Sequence, residues 1–489
     1  MQTDSERWSL HDLLRLFADE YGQAHADTDQ RSAAVERLLD YYLYTAQAAQ
    51  AHLEPRVDPD PANPFSDRNT ALKWLDAERN TLMAAATSTP ARGHRLGAEL
   101  TFALARFLTL RRYFTDHITL ATAAAAKYHG TGDRPSEAMA LSTLSAALLG
   151  VRRFDEAIGK STVAVKIFRE VGDRHNAAIA LNTLGVALHS AQQYPQAIAA
   201  YTEAADIGRA NGDRRGEAAA VHNLGLAHLE MRNFDEAFAA CTNAAAICRE
   251  TGDRHGQAVV LHTLASALRE LGRPREAIDV HAEAAAIFRE TGDRQGEATS
   301  RNNRGSALRE ARRFLEAIDA HAEAAAIFRE TGDRHGEATA LNNRGDALRD
   351  VGRYQEAVTA HTGALEISSE VGDRRGEATA LQGLGNTLLE IRVLPEAISA
   401  WSAAAEIYRA LGDHQREGDA LNTLGSALLS ANVAQGALTA HTEAAKVFRK
   451  AGNRQGEGTA ITGLGSALLR LRRIEEAISR LHPGRGHLP

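Results

Sequence analysis

At 489 residues the chain exceeds one ordinary globular domain, yet only 5% of it is aromatic and alanine is abundant. That balance suits helices stacked closely through small side chains rather than one large core. A net charge of −7 and a pI near 6.3 exclude the basic stripe of a nucleic-acid binder. No run approaches the ~18 apolar residues of a membrane span. The opening MQTDSERWSLHDLLRLF lacks the basic-then-apolar order of a signal peptide. The expectation is a cytoplasmic protein with neither a membrane nor a nucleic-acid partner. Cys241 and Cys248 are the only cysteines. Seven residues of helix separate them by roughly 10 Å, beyond the reach of a disulfide, so they read as small buried residues in a reducing compartment.

In chain order, apolar residues at helical spacing predict helices over Ser9–Glu20, Arg31–Leu53, Asp67–Thr87, Gly93–Leu110 and Thr115–His129. A loop at 54–66, with Pro55, Pro59, Pro61 and Pro64, separates the second from the third, because proline cannot continue a helix interior. These segments make an N-terminal helical region of residues 1–130, its last two helices a degenerate pair leading into a repeat array.

The tripeptide Gly-Asp-Arg then recurs every forty residues, from Gly132, Gly172, Gly212, Gly252, Gly292, Gly332 and Gly372. Gly412-Asp413-His414 and Gly452-Asn453-Arg454 keep the register with one substitution each. A unit this short cannot bury its apolar face by itself, so copies must stack. In the unit Arg174 to Asp213, Ala177, Leu181, Leu184, Gly185 and Leu188 mark a first helix, and Gln192-Gln193 lead into a turn. Ala197, Ile198, Tyr201, Ala204, Ala205 and Ile207 mark a second helix. Gly212 suits the left-handed residue that closes it, and Asp213 suits the cap of the next helix. The array runs over 131–482 as eight full units and a ninth cut short after Arg454, with 483–489 as a disordered tail.

Leu184-Gly185, Leu188, Ala197 and Ala204 resemble the tetratricopeptide repeat. The small residue of its second helix recurs at Ala157, Ala197, Ala237, Ala277, Ala317, Ala357, Ala397, Ala437 and Ala477. The forty-residue period is similar to that of kinesin light chains and spindle-orientation adaptors. The resemblance implies an all-α, right-handed α-solenoid whose first helices line a concave groove for a protein or peptide.

A second resemblance lies upstream. Leu10-His11-Asp12-Leu13-Leu14-Arg15 resembles the motif closing the winged helix of NB-ARC-type (STAND) signal-transduction ATPases. Phe65-Ser66-Asp67-Arg68, with the stretch Ala71 to Asn80, resembles the segment after that module in actinobacterial antibiotic-regulatory-type regulators. The match is to the C-terminal half of that family. In such ATPases the motif histidine lies near the nucleotide β-phosphate, the place of His11. The chain holds no Gly-x-x-x-x-Gly-Lys-Ser/Thr to cradle phosphates. Gly159-Lys160-Ser161 is a lookalike with Phe154 where its first glycine belongs. No nucleotide or other cofactor is expected, and His11 reads as a vestige.

His281, His321, His361 and His441 stand one per repeat, about 10 Å apart at ordinary interhelical distances, whereas metal ligands converge to about 2 Å. Tyr201, Cys241 and Trp401 share the column, so it reads as a packing position and no metal is expected. Polar residues at one place on the first helices, Asn182, His222, His262, Asn302, Asn342, Gln382 and Asn422, are candidates to grip a peptide backbone in the groove. An amide offers both donor and acceptor for that task. A solvated or inter-repeat hydrogen bond is the alternative. Arg269, Arg309 and Arg349 form a second ladder, suited either to an acidic peptide or to the neighbouring Glu310 and Asp350. Arg304 and Arg344, with Arg301, replace core leucines and must snorkel, pair or meet a ligand. The resulting expectation is a non-enzymatic, peptide- or protein-binding scaffold. A peptide-pheromone-responsive regulator and an accessory subunit of a STAND-type signalling or transcription-regulatory complex are the alternatives. An uncapped C-terminal face bearing Leu464, Leu468 and Ile478 is expected to permit homo-oligomers.

Overall fold

The computed structural model describes residues 2–3, 7–8, 31–53, 63–87 and 94–481. The His11 motif, the expected helix over Ser9–Glu20, most of the proline loop and the 483–489 tail lie outside them. Gln2–Thr3 and Arg7–Trp8 pair as a two-residue antiparallel ladder, with Gln2 opposite Trp8. Every other described element is a helix. The chain divides into two compact units, residues 1–233 and 234–489.

In the first unit, α1 (Arg31–Leu53), α2 (Arg68–Thr87), α3 (His94–Leu110) and α4 (Phe114–Thr131) share one core. Leu43, Leu53, Leu75, Leu82, Leu104, Phe107 and Leu120 are buried in it. Asp67 caps α2, accepting the Thr70 N–H at 2.8 Å. The loop before it is tied to α1, where Asn63 Nδ2 donates to the Ala48 carbonyl at 2.8 Å.

The repeat register then fixes every boundary. First helices are α5 (Arg134–Gly150), α7 (Arg174–Ser190) and α9 (Arg214–Glu230). They continue as α11 (Arg254–Glu270), α13 (Arg294–Glu310), α15 (Arg334–Asp350), α17 (Arg374–Glu390), α19 (His414–Ser430) and α21 (Arg454–Arg470). Second helices are α6 (Phe154–Val171), α8 (Tyr194–Asn211) and α10 (Phe234–Glu250). They continue as α12 (Pro274–Glu290), α14 (Phe314–Thr331), α16 (Tyr354–Glu370), α18 (Leu394–Leu411), α20 (Ala434–Lys450) and α22 (Ile474–Leu481). Within each unit successive helices pack in chain order as an α-solenoid. Cys241 and Cys248 are free and buried, and burial pushes the Cys241 thiol up to about 12.

The Gly-Asp-Arg loop acts through all three residues. The glycine takes the left-handed region, as at Gly332 with φ 76°. The aspartate caps the next helix: Asp333 accepts the Gly336 N–H at 2.9 Å. The arginine, to which sequence reading gave no task, is a clamp. Arg334 donates to Glu337 at 2.6 Å and to Glu370, at the end of the second helix of its own repeat, at 2.5 Å. Glu337 is buried and also receives Arg329 from the preceding helix at 2.7 Å. Glu217 and Glu417 are buried and held likewise, by Arg209 at 2.8 Å and Arg409 at 2.7 Å.

The turn between first and second helix contains a second left-handed residue that sequence reading missed. Arg152, Gln192, Arg232, Arg312, Arg392, Asn432 and Arg472 have φ near 60°, and Gly272 and Gly352 fill the same place. Gly352→Ala should cost about 1 kcal/mol, the penalty of a Cβ in this region. An unchanged urea midpoint would contradict the assignment.

The last helix pair corrects one expectation. Leu464 and Leu468 are buried against Ala477 and Leu438 rather than exposed. Ile478 is exposed as expected, and so are Leu469 and Ile474.

Candidate binding site

The column of histidines is buried in the second unit. His321 and His361 lie on α14 and α16, and each Nδ1–H donates to an amide on the first helix of its own repeat. His321 reaches Asn302 Oδ1 at 2.8 Å, and His361 reaches Asn342 Oδ1 at 2.9 Å. His441 does the same with Asn422 at 2.9 Å. Among the described residues no group of histidine, cysteine and acid side chains is arranged to hold a metal.

The amide ladder therefore has internal partners. Asn302, expected on the open face, is buried, and its Oδ1 also accepts from Asn343 Nδ2 at 3.2 Å. Gln382 accepts the Tyr408 hydroxyl at 2.9 Å, and Asn182 accepts from Asn223 Nδ2 at 3.0 Å. His262 donates from Nδ1 to Ser300 Oγ and accepts from Asn303 Nδ2, both at 3.2 Å. His222 is half-buried on α9. The doubled amides Asn302-Asn303 and Asn342-Asn343 were visible in the sequence, but their second members were not singled out.

The arginine ladder follows its inter-repeat alternative. Arg269 on α11 forks onto Glu310 on α13, its Nε 3.2 Å from both carboxylate oxygens. Arg309 reaches Asp350 on α15 at 2.5 Å and Asp346 at 3.7 Å. Arg349 lies 3.3 Å from Asp346, whose carboxyl is raised by burial against the pull of Arg349 and Arg309. Arg301 pairs with Glu297 at 2.7 Å and with Glu323. Among the described residues Arg304 and Arg344 have no ion pair within 4 Å, and each has a buried Nε without a hydrogen-bond partner. Arg313 holds the Glu316 carboxyl low through a hydrogen bond, and Arg304 adds a smaller pull.

Between α11, α13 and α15 lies an open cleft of about 580 Å³. Arg269, Arg309, Arg312, His321, Asn343 and Asp350 are among its lining residues. Arg312 comes from the left-handed turn, a place no sequence signal marked.

Helix pairs in forty-residue register, with a small residue at the heart of every second helix, match a known pattern. The tetratricopeptide repeat profile fits residues 136–210, 217–290, 296–362 and 336–392, half of the chain. The chain belongs to the tetratricopeptide-repeat family. This tetratricopeptide-repeat protein is 35% identical over 102 residues to the regulatory protein AfsR of Streptomyces griseus. The match takes in 18% of this chain and 10% of AfsR, so the chain spans about a tenth of that relative's length. A solved signal transduction ATPase with numerous domains, carrying a tetratricopeptide repeat sensor, from Pyrococcus horikoshii is 14% identical. It matches over 71% of this chain and 53% of its own, with a TM-score of 0.52, a likeness of fold. The apo quorum sensor NprR of B. thuringiensis is 14% identical, over 73% of this chain and 98% of its own, with a TM-score of 0.42. No described helix of the protein is long and apolar enough to cross a membrane.

Proposed function

We propose that the chain is a non-enzymatic binding module that takes an extended acidic segment of a partner protein across the cleft of α11, α13 and α15. The observation that carries this reading is the convergence of Arg269, Arg309, Arg312 and Asn343 on one open cleft. The Arg269 and Arg309 ion pairs are partly exposed, and such pairs are worth about 0–1 kcal/mol. A ligand carboxylate displaces Glu310 or Asp350 at small cost and gains the same forked hydrogen bonds. Asn343 donates to Asn302 and leaves its own oxygen to accept a peptide N–H. Asn302 and Asn342 support this surface from behind by fixing the histidine column. The likeness to a regulatory protein and to a sensor array favours a role as the sensor-like part of a signalling assembly.

Titration of a fluorescent Asp-rich octapeptide tests the reading. Arg269→Ala with Arg309→Ala should weaken binding roughly tenfold or more at low salt, the worth of charge-assisted bonds. The difference should shrink at 0.5 M salt, where exposed charges are screened. A salt-independent affinity that ignores both substitutions would sink the assignment.

A further inference from the structure

Near the end of each second helix a buried residue wedges over the first turn of the next first helix. In the second unit Phe288, Phe328, Tyr408 and Phe448 fill this place with a ring and Cys248 fills it with a thiol. The rings of Phe288 and Phe328 lie over Gly296 and Gly336, where an added Cβ would come within 2.6 and 2.5 Å of them. On α16 the residue is Ser368, which is buried, its Oγ 2.7 Å from where a Cβ on Gly376 would stand. A slot of about 230 Å³ remains, with Ala338, Thr339, Asn342, Ala364, Gly376 and Thr379 in its wall. The Thr339 and Thr379 hydroxyls donate to the His335 and Arg375 carbonyls at 3.0 Å, so neither is left to seek water. Gly208, the small residue at this place in the first unit, leaves no slot, since a Cβ there would lie 3.0 Å from the Glu217 nitrogen. The opening at Ser368 thus stands where Phe288, Phe328, Tyr408 and Phe448 carry rings in their own repeats.

We propose that this slot receives one aromatic side chain, Phe or Tyr, of the acidic peptide that crosses the arginine cleft. The proposal deepens the reading above and rests on it for the source of the ring. Asn343 lines both the cleft and the slot, so a chain lying in one reaches the other. The wall supplies carbon for the ring face, and Asn342 Nδ2 can donate to a neighbouring peptide carbonyl. Arg375 and Arg416, 3.7 and 3.8 Å from Asp413, stand at the mouth, where flanking acidic residues would meet them.

Two probes test this in the full chain: p-cresol, followed by ligand-observed NMR, and a pair of Asp-rich octapeptides differing by one Phe→Ala change. The wild type should bind p-cresol saturably and prefer the Phe peptide at least about tenfold, as expected for burying a ring. Ser368→Phe, which installs the ring found at Phe288 and Phe328, should abolish both effects and raise the Tm by about 2 °C or more. Ser368→Leu, a smaller plug, should give the same losses if the Phe variant does not accumulate. Ser368→Ala should keep the slot open and retain p-cresol. No saturable p-cresol binding, or binding indifferent to the plug, overturns the slot and leaves the arginine cleft standing. Binding of p-cresol with equal affinity for the two peptides overturns the peptide source. Loss of all acidic-peptide binding, with p-cresol retained, overturns the cleft reading and the peptide source with it.

Discussion

Replacing both Arg329 and Arg334 with Ala should lower the urea midpoint of the second unit well beyond what Glu337→Ala does, because it strands a buried charge. Glu337 is 1% exposed, and the two guanidiniums 2.7 and 2.6 Å away are its charge partners. The arginines are 64% and 39% exposed, so the cost is asymmetric. Removing them leaves a buried carboxylate without its counter-charges. Removing the glutamate leaves two wet guanidiniums, and Glu337→Ala should cost far less. The chain already carries Ala177 at the equivalent place on α7. The triple variant with Glu337→Ala should therefore recover most of the loss. Urea unfolding, with hydrogen exchange of the α15 amides as the local readout, separates these outcomes. A double-arginine variant no weaker than Glu337→Ala would show that the clamp is ornamental.

The helical array was legible because each signal in it is local. A left-handed glycine, a capping aspartate and apolar residues at helical spacing are properties of a few consecutive residues. Those signals put α1 at Arg31–Leu53 and started each first helix after its capping residue. The arginine of the loop was opaque for the opposite reason. Its partners are a glutamate three residues on and another thirty-six on, and only stacking brings the second within reach. The amide ladder was read to its helix and column but not to its contacts. Spacing cannot tell whether Asn302 points to solvent or to the histidine of the adjoining helix. The slot at Ser368 was illegible in one repeat, since a serine late in a helix is unremarked until it is set beside Phe288, Phe328, Tyr408 and Phe448 in the same column. The left-handed turn hid behind arginines, because only Gly272 and Gly352 display it in the sequence.

The same burial makes the second unit acid-sensitive. Burial pushes His281 down to about 3 and His321 and His361 down to about 4. Arg269, Arg309 and Arg349 lower them further, through His262 as well in the case of His281. The ring of His321 lies against Gly305, where an added Cβ would come 2.6 Å from it, and that of His361 lies likewise against Gly345. Their Nδ1 atoms already donate to Asn302 and Asn342, while both Nε2 atoms are buried without a partner among the described residues. A second proton has no acceptor there. In the unfolded chain each imidazole titrates near 6.5, so below that pH the unfolded state binds more protons and is favoured. The loss begins as pH falls through 6.5 and accumulates down to the folded values. At pH 5 it should amount to roughly 2 kcal/mol per imidazole and roughly 6 for the three. Asp346, whose carboxyl is raised by burial, takes up its proton on the folded side and so works in the opposite sense. Changing the three histidines to Tyr, the residue at Tyr201 in the same column, should flatten the fall in urea midpoint between pH 7.5 and 5. If that variant loses as much stability over the same range as the wild type, the acid sensitivity belongs to other groups.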